Sequence, residues 1–197
     1  MADDVRISSD TRRANRLPPG QIRADSIPVR HLGVVPPFDL AVWNLSVFPA
    51  PLVKRVTSWN WAEFCGLPRI KVFADYHCAS GVSVLNNFWE GVSTSELFER
   101  IELAEEAKFV MVHAEFGYTA NFTRDEFFDT DCLFALARNG ADLKPEEGAP
   151  LRLVVPKKFG WKSVKWVRGI EFLTEERAGF WEDCRNGAMP MRGEVWG

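Results

Sequence analysis

A chain of 197 residues, 46% apolar and 26% charged, is long enough to bury one substantial core. Its formal charge of −3 gives no general attraction to nucleic acid or acidic membranes, and no apolar run approaches a membrane span. Cys65, Cys78, Cys132 and Cys184 show no paired spacing, and the three histidines lack helical ligand spacing, which argues against a disulfide framework and a structural zinc.

Residues 1–27 are polar and contain Arg12-Arg13, but neither an apolar core nor a small-residue cleavage site follows that pair. The segment reads as a flexible arm before a domain over 28–197, and the protein as cytoplasmic. After Pro36-Pro37 the run Leu40–Val47 alternates apolar with smaller or polar residues, a strand signal, and Val53–Thr57 reads as another strand. Asn60 can cap a short helix at Trp61–Phe64 that Gly66 and Pro68 end. A β-rich run at Ile70–Phe73 leads into Ala74-Asp75-Tyr76-His77-Cys78-Ala79-Ser80-Gly81, read as a small-residue loop presenting a thiol, and order resumes at Asn87–Val92.

Ser93…Glu96 and Thr123…Glu126 are capping-box patterns, each opening a short helix. Lys108–His113 reads as a buried strand and Gly117–Ala120 as a loop. Asn139-Gly140 is the strongest hairpin signal, and Leu151–Val155 and Lys165–Phe172 are strands. Short strands with a few short helices, and no regular βαβ alternation, make the fold class α+β.

Two stretches carry chemistry. Cys78 is a candidate ligand or nucleophile, with a half-buried structural thiol as the alternative. Residues 151–170 contain no acid but hold Arg152, Lys157, Lys158, Lys162, Lys165 and Arg168 around Phe159, Gly160, Trp161 and Trp166. That pattern suits a phosphate or other anion, or a lysine-protected sheet edge. Asp129 and Asp131 can pair as acid and base or bind a hard cation, but a turn role accounts for them more simply. There is no phosphate loop and no dinucleotide glycine motif.

Taken in order, three segments resemble the molybdopterin-binding oxidoreductases of the sulfite oxidase superfamily. They are Asp75-Tyr76-His77-Cys78 with Trp89–Val92, Glu147–Pro156, and Phe159–Trp166 ending in Gly179-Phe180-Trp181-Glu182. The resemblance spans residues from about 28 to 182 and implies that family's catalytic domain of mixed short sheets, carrying Mo-molybdopterin. It implies Cys78 as the metal ligand and Arg30, His31, Thr119, Arg152, Ser163, Val164 and Lys165 as cofactor contacts, with Arg30 also near substrate. A soft thiolate suits molybdenum, and Arg152 and Lys165 suit a terminal phosphate.

The implied reaction is oxygen-atom transfer, as reduction of a small S- or N-oxide with electrons from a separate protein, by a monomer or weak dimer that binds neither nucleic acid nor membrane. Departures from the family pattern disfavour sulfite. Gly81-Val82-Ser83 stands where sulfite-oxidising members carry a further arginine, Asn186 or Met189 where a tyrosine is expected, and Glu147 at a position usually Asn or His. A non-catalytic cofactor carrier, sulfite-type oxidation, and a thiol enzyme using Cys78 with His77 are the alternatives.

Overall fold

The computed structural model describes residues 4–48, 51–54, 57–183 and 193–196. Its strands are β1 Val5–Ile7, β2 Ile22–Arg23, β3 Asn44–Val47, β4 Thr57–Asn60, β5 Ile70–Cys78 and β6 Val82–Ser93. They continue with β7 Phe109–Ala114, β8 Thr119–Thr123, β9 Leu133–Arg138, β10 Ala141–Asp142, β11 Arg152–Val154 and β12 Val167–Leu173. Three short helices intervene: α1 Trp61–Cys65, α2 Thr94–Glu99 and α3 Arg124–Phe127. The α+β expectation holds.

The strands form two sheets. One has seven strands in the order β1-β5-β6-β9-β10, with β11 on β9 and β2 on β6; the other has five in the order β4-β3-β12-β7-β8. In the larger sheet side chains alternate between two apolar clusters. Phe134, Leu136, Leu153 and Val155 face the main core between the sheets, where Trp43, Phe64, Val112, Phe127 and Phe172 meet them. Leu133, Ala135 and Val154 face a second cluster with Trp89 and with Ile70, Val72, Ala74, Tyr76 and Cys78 of β5. Cys78 thus ends a stripe of every second residue on a strand whose last stretch, Ala74–Cys78, is buried on both faces.

Local chemistry explains most element ends. Asn60 and Thr123 each accept from the backbone of a glutamate three residues on, which answers their own N–H, so both capping boxes form. Asn139 and Gly140 take φ of 52° and 81° between paired β9 and β10, as the hairpin signal requires.

Several expectations fail for identifiable reasons. Ser93 does not cap α2: its hydroxyl lies 2.6 Å from Ser95 Oγ and accepts from Arg6 Nη1 at 3.2 Å. The strand expected from Leu40 begins only at Asn44, because Asp39 draws Ala41 N–H onto its carboxylate and Val42 N–H onto its carbonyl, an Asx turn. The expected loop at 117–120 is already β8 from Thr119 onward. The strand expected at Val53–Thr57 falls partly on undescribed residues; Val53 makes an isolated bridge to Leu103 and β4 starts at Thr57.

Two stretches of residues 4–27 join the larger sheet: β1 runs parallel to β5, and β2 parallel to β6. Arg16 grips the buried Asp75 carboxylate with Nε and Nη2 at 2.8 and 2.5 Å. No helix among the described residues is long and apolar enough to cross a membrane.

Candidate active site

The thiol does not sit on a loop, as the sequence suggested; β5 runs through it. Tyr76, His77 and Cys78 pair with Val84, Ser83 and Val82 of β6. Only Ala79, Ser80 and Gly81 turn the chain, and Gly81 takes the φ of 90° that closes a three-residue hairpin loop. The ladder therefore fixes Cys78, which is a stiffer mounting than a loop. His77 points the other way. Its Nδ1 lies 2.8 Å from Ser83 Oγ, its ring meets Trp196 edge-on, and burial pushes its pKa down. Ser83 in turn donates to Gln21 Oε1, so Nδ1 carries the imidazole hydrogen in this network. Among the described residues His77 makes no contact through which to activate the Cys78 thiol.

Cys78 opens into a cavity of about 520 Å³. Of the residues singled out in the sequence, Arg30, His31, Cys78, Thr119, Ser163, Val164 and Lys165 line it. Arg152 lies behind the wall: it is 2% exposed, donates to Glu147 O at 2.9 Å and Tyr76 Oη at 3.1 Å, and lies over the Tyr76 ring. Sequence reasoning missed much of the aromatic lining, Tyr118, Trp161, Trp166 and Trp181, together with Tyr76 and Ser80. Trp166 and Trp181 stood inside motifs already noted, whereas Tyr118 gives no local signal; it reaches the site by stacking on Trp181 and donating to Leu32 O.

Two glycines make room. A Cβ on Gly160 would lie 2.0 Å from Tyr76 Oη, and one on Gly148 would press at 3.1 Å on the stems of both Arg152 and Lys165, at a φ of 118°. The 159–166 segment is tied to β5 by Gly160 N–H donating to His77 O at 2.7 Å.

The electrostatics are lopsided. Lys165 Nζ donates to two carbonyls, Arg30 O at 3.0 Å and Glu146 O at 2.6 Å. Burial, then the neighbouring Arg152 charge, pushes its pKa down to about 8. Neither Lys165 nor Arg152 has a carboxylate in ion-pairing range among the described residues, and Arg152 Nε is buried with no partner. The Glu147 carboxylate is turned away, onto Arg138 at 2.6 Å. A guanidinium brings its charge with it into the interior. A buried cation without a counter-ion marks a place for an external anion.

The comparisons with known proteins decide the family. Residues 31–181 match the model described as the oxidoreductase molybdopterin binding domain. The uncharacterized oxidoreductase YuiH of Bacillus subtilis is 42% identical over 185 residues, covering 93% of this chain and 91% of that one. The chain belongs to the molybdopterin-binding oxidoreductases of the sulfite oxidase superfamily. It is an enzyme of that family, and its cofactor is Mo-molybdopterin.

More distant relatives in the family match over part of their length. The protein-methionine-sulfoxide reductase catalytic subunit MsrP of Campylobacter jejuni is 32% identical over 111 residues, 48% of this chain and 37% of that one. The structure of the sulfane dehydrogenase SoxCD from Paracoccus pantotrophus shares the fold with a TM-score of 0.68 at 22% identity, over 78% of this chain and 45% of that one.

The residues present fit a molybdopterin. A thiol on a rigid strand is a suitable soft donor, and the unpaired Arg152 and Lys165 offer charge for a phosphate. The hydroxyls of Thr119 and Ser163 already accept Phe180 N–H and Val155 N–H at 2.9 and 3.1 Å, and each keeps its own proton to donate. The position of the missing tyrosine, Asn186 or Met189, lies outside the described residues, as does Cys184.

Proposed function

We propose that this enzyme reduces a neutral S- or N-oxide by oxygen-atom transfer, with Cys78 as the protein ligand to molybdenum. Arg152 and Lys165 would take the cofactor's phosphate, with Thr119, Ser163, Val164 and His31 completing its contacts and Arg30 meeting both cofactor and substrate. The observation that carries the reading is the pair of unpaired cations flanking the cavity into which Cys78 opens.

When bound, the cofactor supplies the two-electron oxygen-atom-transfer chemistry. The residues bind, orient and enclose. Tyr118, Trp166 and Trp181 wall the cavity with rings that exclude water. At its mouth the exposed Arg30 can donate to the oxygen of a polar S=O or N–O bond.

Sulfite is a poorer match. The turn after the ligand offers Ala79, Ser80 and Gly81 with no second cation, so among the described residues a dianion would meet Arg30 as the exposed cation at the mouth. A neutral oxide needs less charge and gains from the aromatic walls. Net reduction of one oxide consumes two electrons and two protons and releases water. The electrons would come from a separate electron-transfer protein, in the cytoplasm, to a monomer or weak dimer.

The test compares wild type with Cys78→Ser, both made in cells that synthesise the cofactor. Molybdenum should fall to background in the variant, and the wild type should reduce sulfoxides or N-oxides with reduced viologen. Equal molybdenum in both would remove Cys78 as ligand. A loaded wild type that turns over no oxide would favour a carrier.

A further inference from the structure

The Cys78 sulfur has one side-chain hydrogen-bond partner among the described residues. Ser80 Oγ lies 3.1 Å from Sγ and makes no other hydrogen bond there. Ser80 is exposed to the same cavity that Cys78 opens into. The turn holds the pair in register: Cys78 O accepts from Gly81 N–H and from Gln21 Nε2, each at 3.0 Å. With the carbonyl committed to those donors and the strand ladder behind it, the sulfur has little freedom to leave the hydroxyl. A serine that merely shaped the turn would bond a nearby backbone N–H or C=O. This one is aimed at the thiol.

We infer that Ser80 is a positioning residue whose O–H···S hydrogen bond sets how strongly the Cys78 thiolate donates to the metal. The inference rests on Cys78 being the ligand proposed above. A hydrogen bond to a thiolate draws electron density from sulfur and weakens its donation. The electron-rich, reduced metal is then favoured, and the reduction potential rises; hydrogen bonds to ligand sulfur are one of the protein's levers on a metal centre. Without the bond, sulfur donates more, the potential falls, and sulfur-to-metal charge transfer moves to lower energy.

The experiment uses holoenzyme from cofactor-synthesising cells as wild type, Ser80→Ala, Ser80→Thr and Cys78→Ser. It reads molybdenum per chain first, then the charge-transfer absorption and the metal midpoint potential. Ser80→Ala should carry wild-type molybdenum, with its band moved to longer wavelength and its potential lowered. Ser80→Thr keeps the hydroxyl and should return both toward wild type. An unmoved band and potential in Ser80→Ala, a shift that Ser80→Thr shares, or loss of the metal from Ser80→Ala would each overturn the inference while leaving Cys78 as ligand. Wild-type molybdenum in Cys78→Ser would overturn the ligand assignment itself, and the inference with it.

Discussion

The acid-free window at 151–170 looks like one basic patch in the sequence, yet in the structure it separates into two kinds of cation. Lys157, Lys158 and Lys162 are each cancelled by carboxylates from elsewhere: Asp129, Glu126 with Glu194, and Glu182. Arg168 reaches Glu115 at 3.6 Å on a more exposed face. Arg152 and Lys165 are buried or half-buried against carbonyls, a phenol and aromatic rings. The first group joins one part of the chain to another. The second stores unneutralised charge beside a cavity. Positive charge alone marks nothing; what separates structure from site is whether the fold itself supplies the counter-ion.

The largest expected effect breaks the paired side. Lys162 is 2% exposed and Glu182 has no exposed side-chain surface, and Lys162 also donates to Asn121 O and Oδ1 at 2.7 Å each. Burial lowers the Lys162 pKa despite the Glu182 charge beside it. Glu182→Gln keeps the shape and removes the counter-charge, so it should cost about 3–5 kcal/mol in urea unfolding. Replacing both residues with apolar ones of similar volume should recover most of that loss.

Arg152→Met tests the other side and should behave in the opposite sense. No carboxylate loses a partner, and relief of a buried charge, several kcal/mol, offsets two lost charge-assisted hydrogen bonds of about 1.5–3 kcal/mol each. The cofactor-free protein should change by less than about 1 kcal/mol, while molybdenum content in cofactor-synthesising cells falls severely. Arg152→Lys should not restore it, because a lysine cannot span both Tyr76 and a phosphate in one fork. A stability loss as large as that of Glu182→Gln would erase the distinction between the two groups.

Much of this could be read from local sequence, and what could not has a common cause. The thiol stretch, the Asn139-Gly140 hairpin and the Thr123…Glu126 cap depend on residues within a few positions of one another. The pairing of the basic window does not. Glu126 lies 32 residues from Lys158, Glu182 lies 20 from Lys162, and Asp129 lies 28 from Lys157. Which lysines would be cancelled was therefore set by tertiary packing. The same holds for residues 4–27, whose polar composition gave no hint that Arg16 would reach Asp75, 59 positions away. Within the site, Cys78 and Lys165 were legible as chemistry, whereas Tyr76 and Tyr118 acquire meaning only once Arg152 and Trp181 are packed on them.

The smallest effect is also the most discriminating, because it reads the missing counter-ion directly. Lys165 has a folded pKa of about 8 against an ordinary value of 10.5. Between those two values the folded cofactor-free protein binds fewer protons than the unfolded chain, so stability should rise with pH across that window. Below about 8 both states hold the proton and the burial penalty is felt in full; above the unfolded value neither does and it vanishes. Lys162 is shifted in the same direction, so the comparison must be between wild type and Lys165→Met, with the variant showing the shallower rise. An anion beside Lys165 should favour the charged ammonium, raising its pKa and flattening the wild-type curve. Inorganic phosphate is the simplest probe, and its affinity should weaken as pH climbs through about 8. Identical slopes in both proteins, with or without phosphate, would mean that water satisfies Lys165 as fully as Glu182 satisfies Lys162, and the two groups of cations would be one.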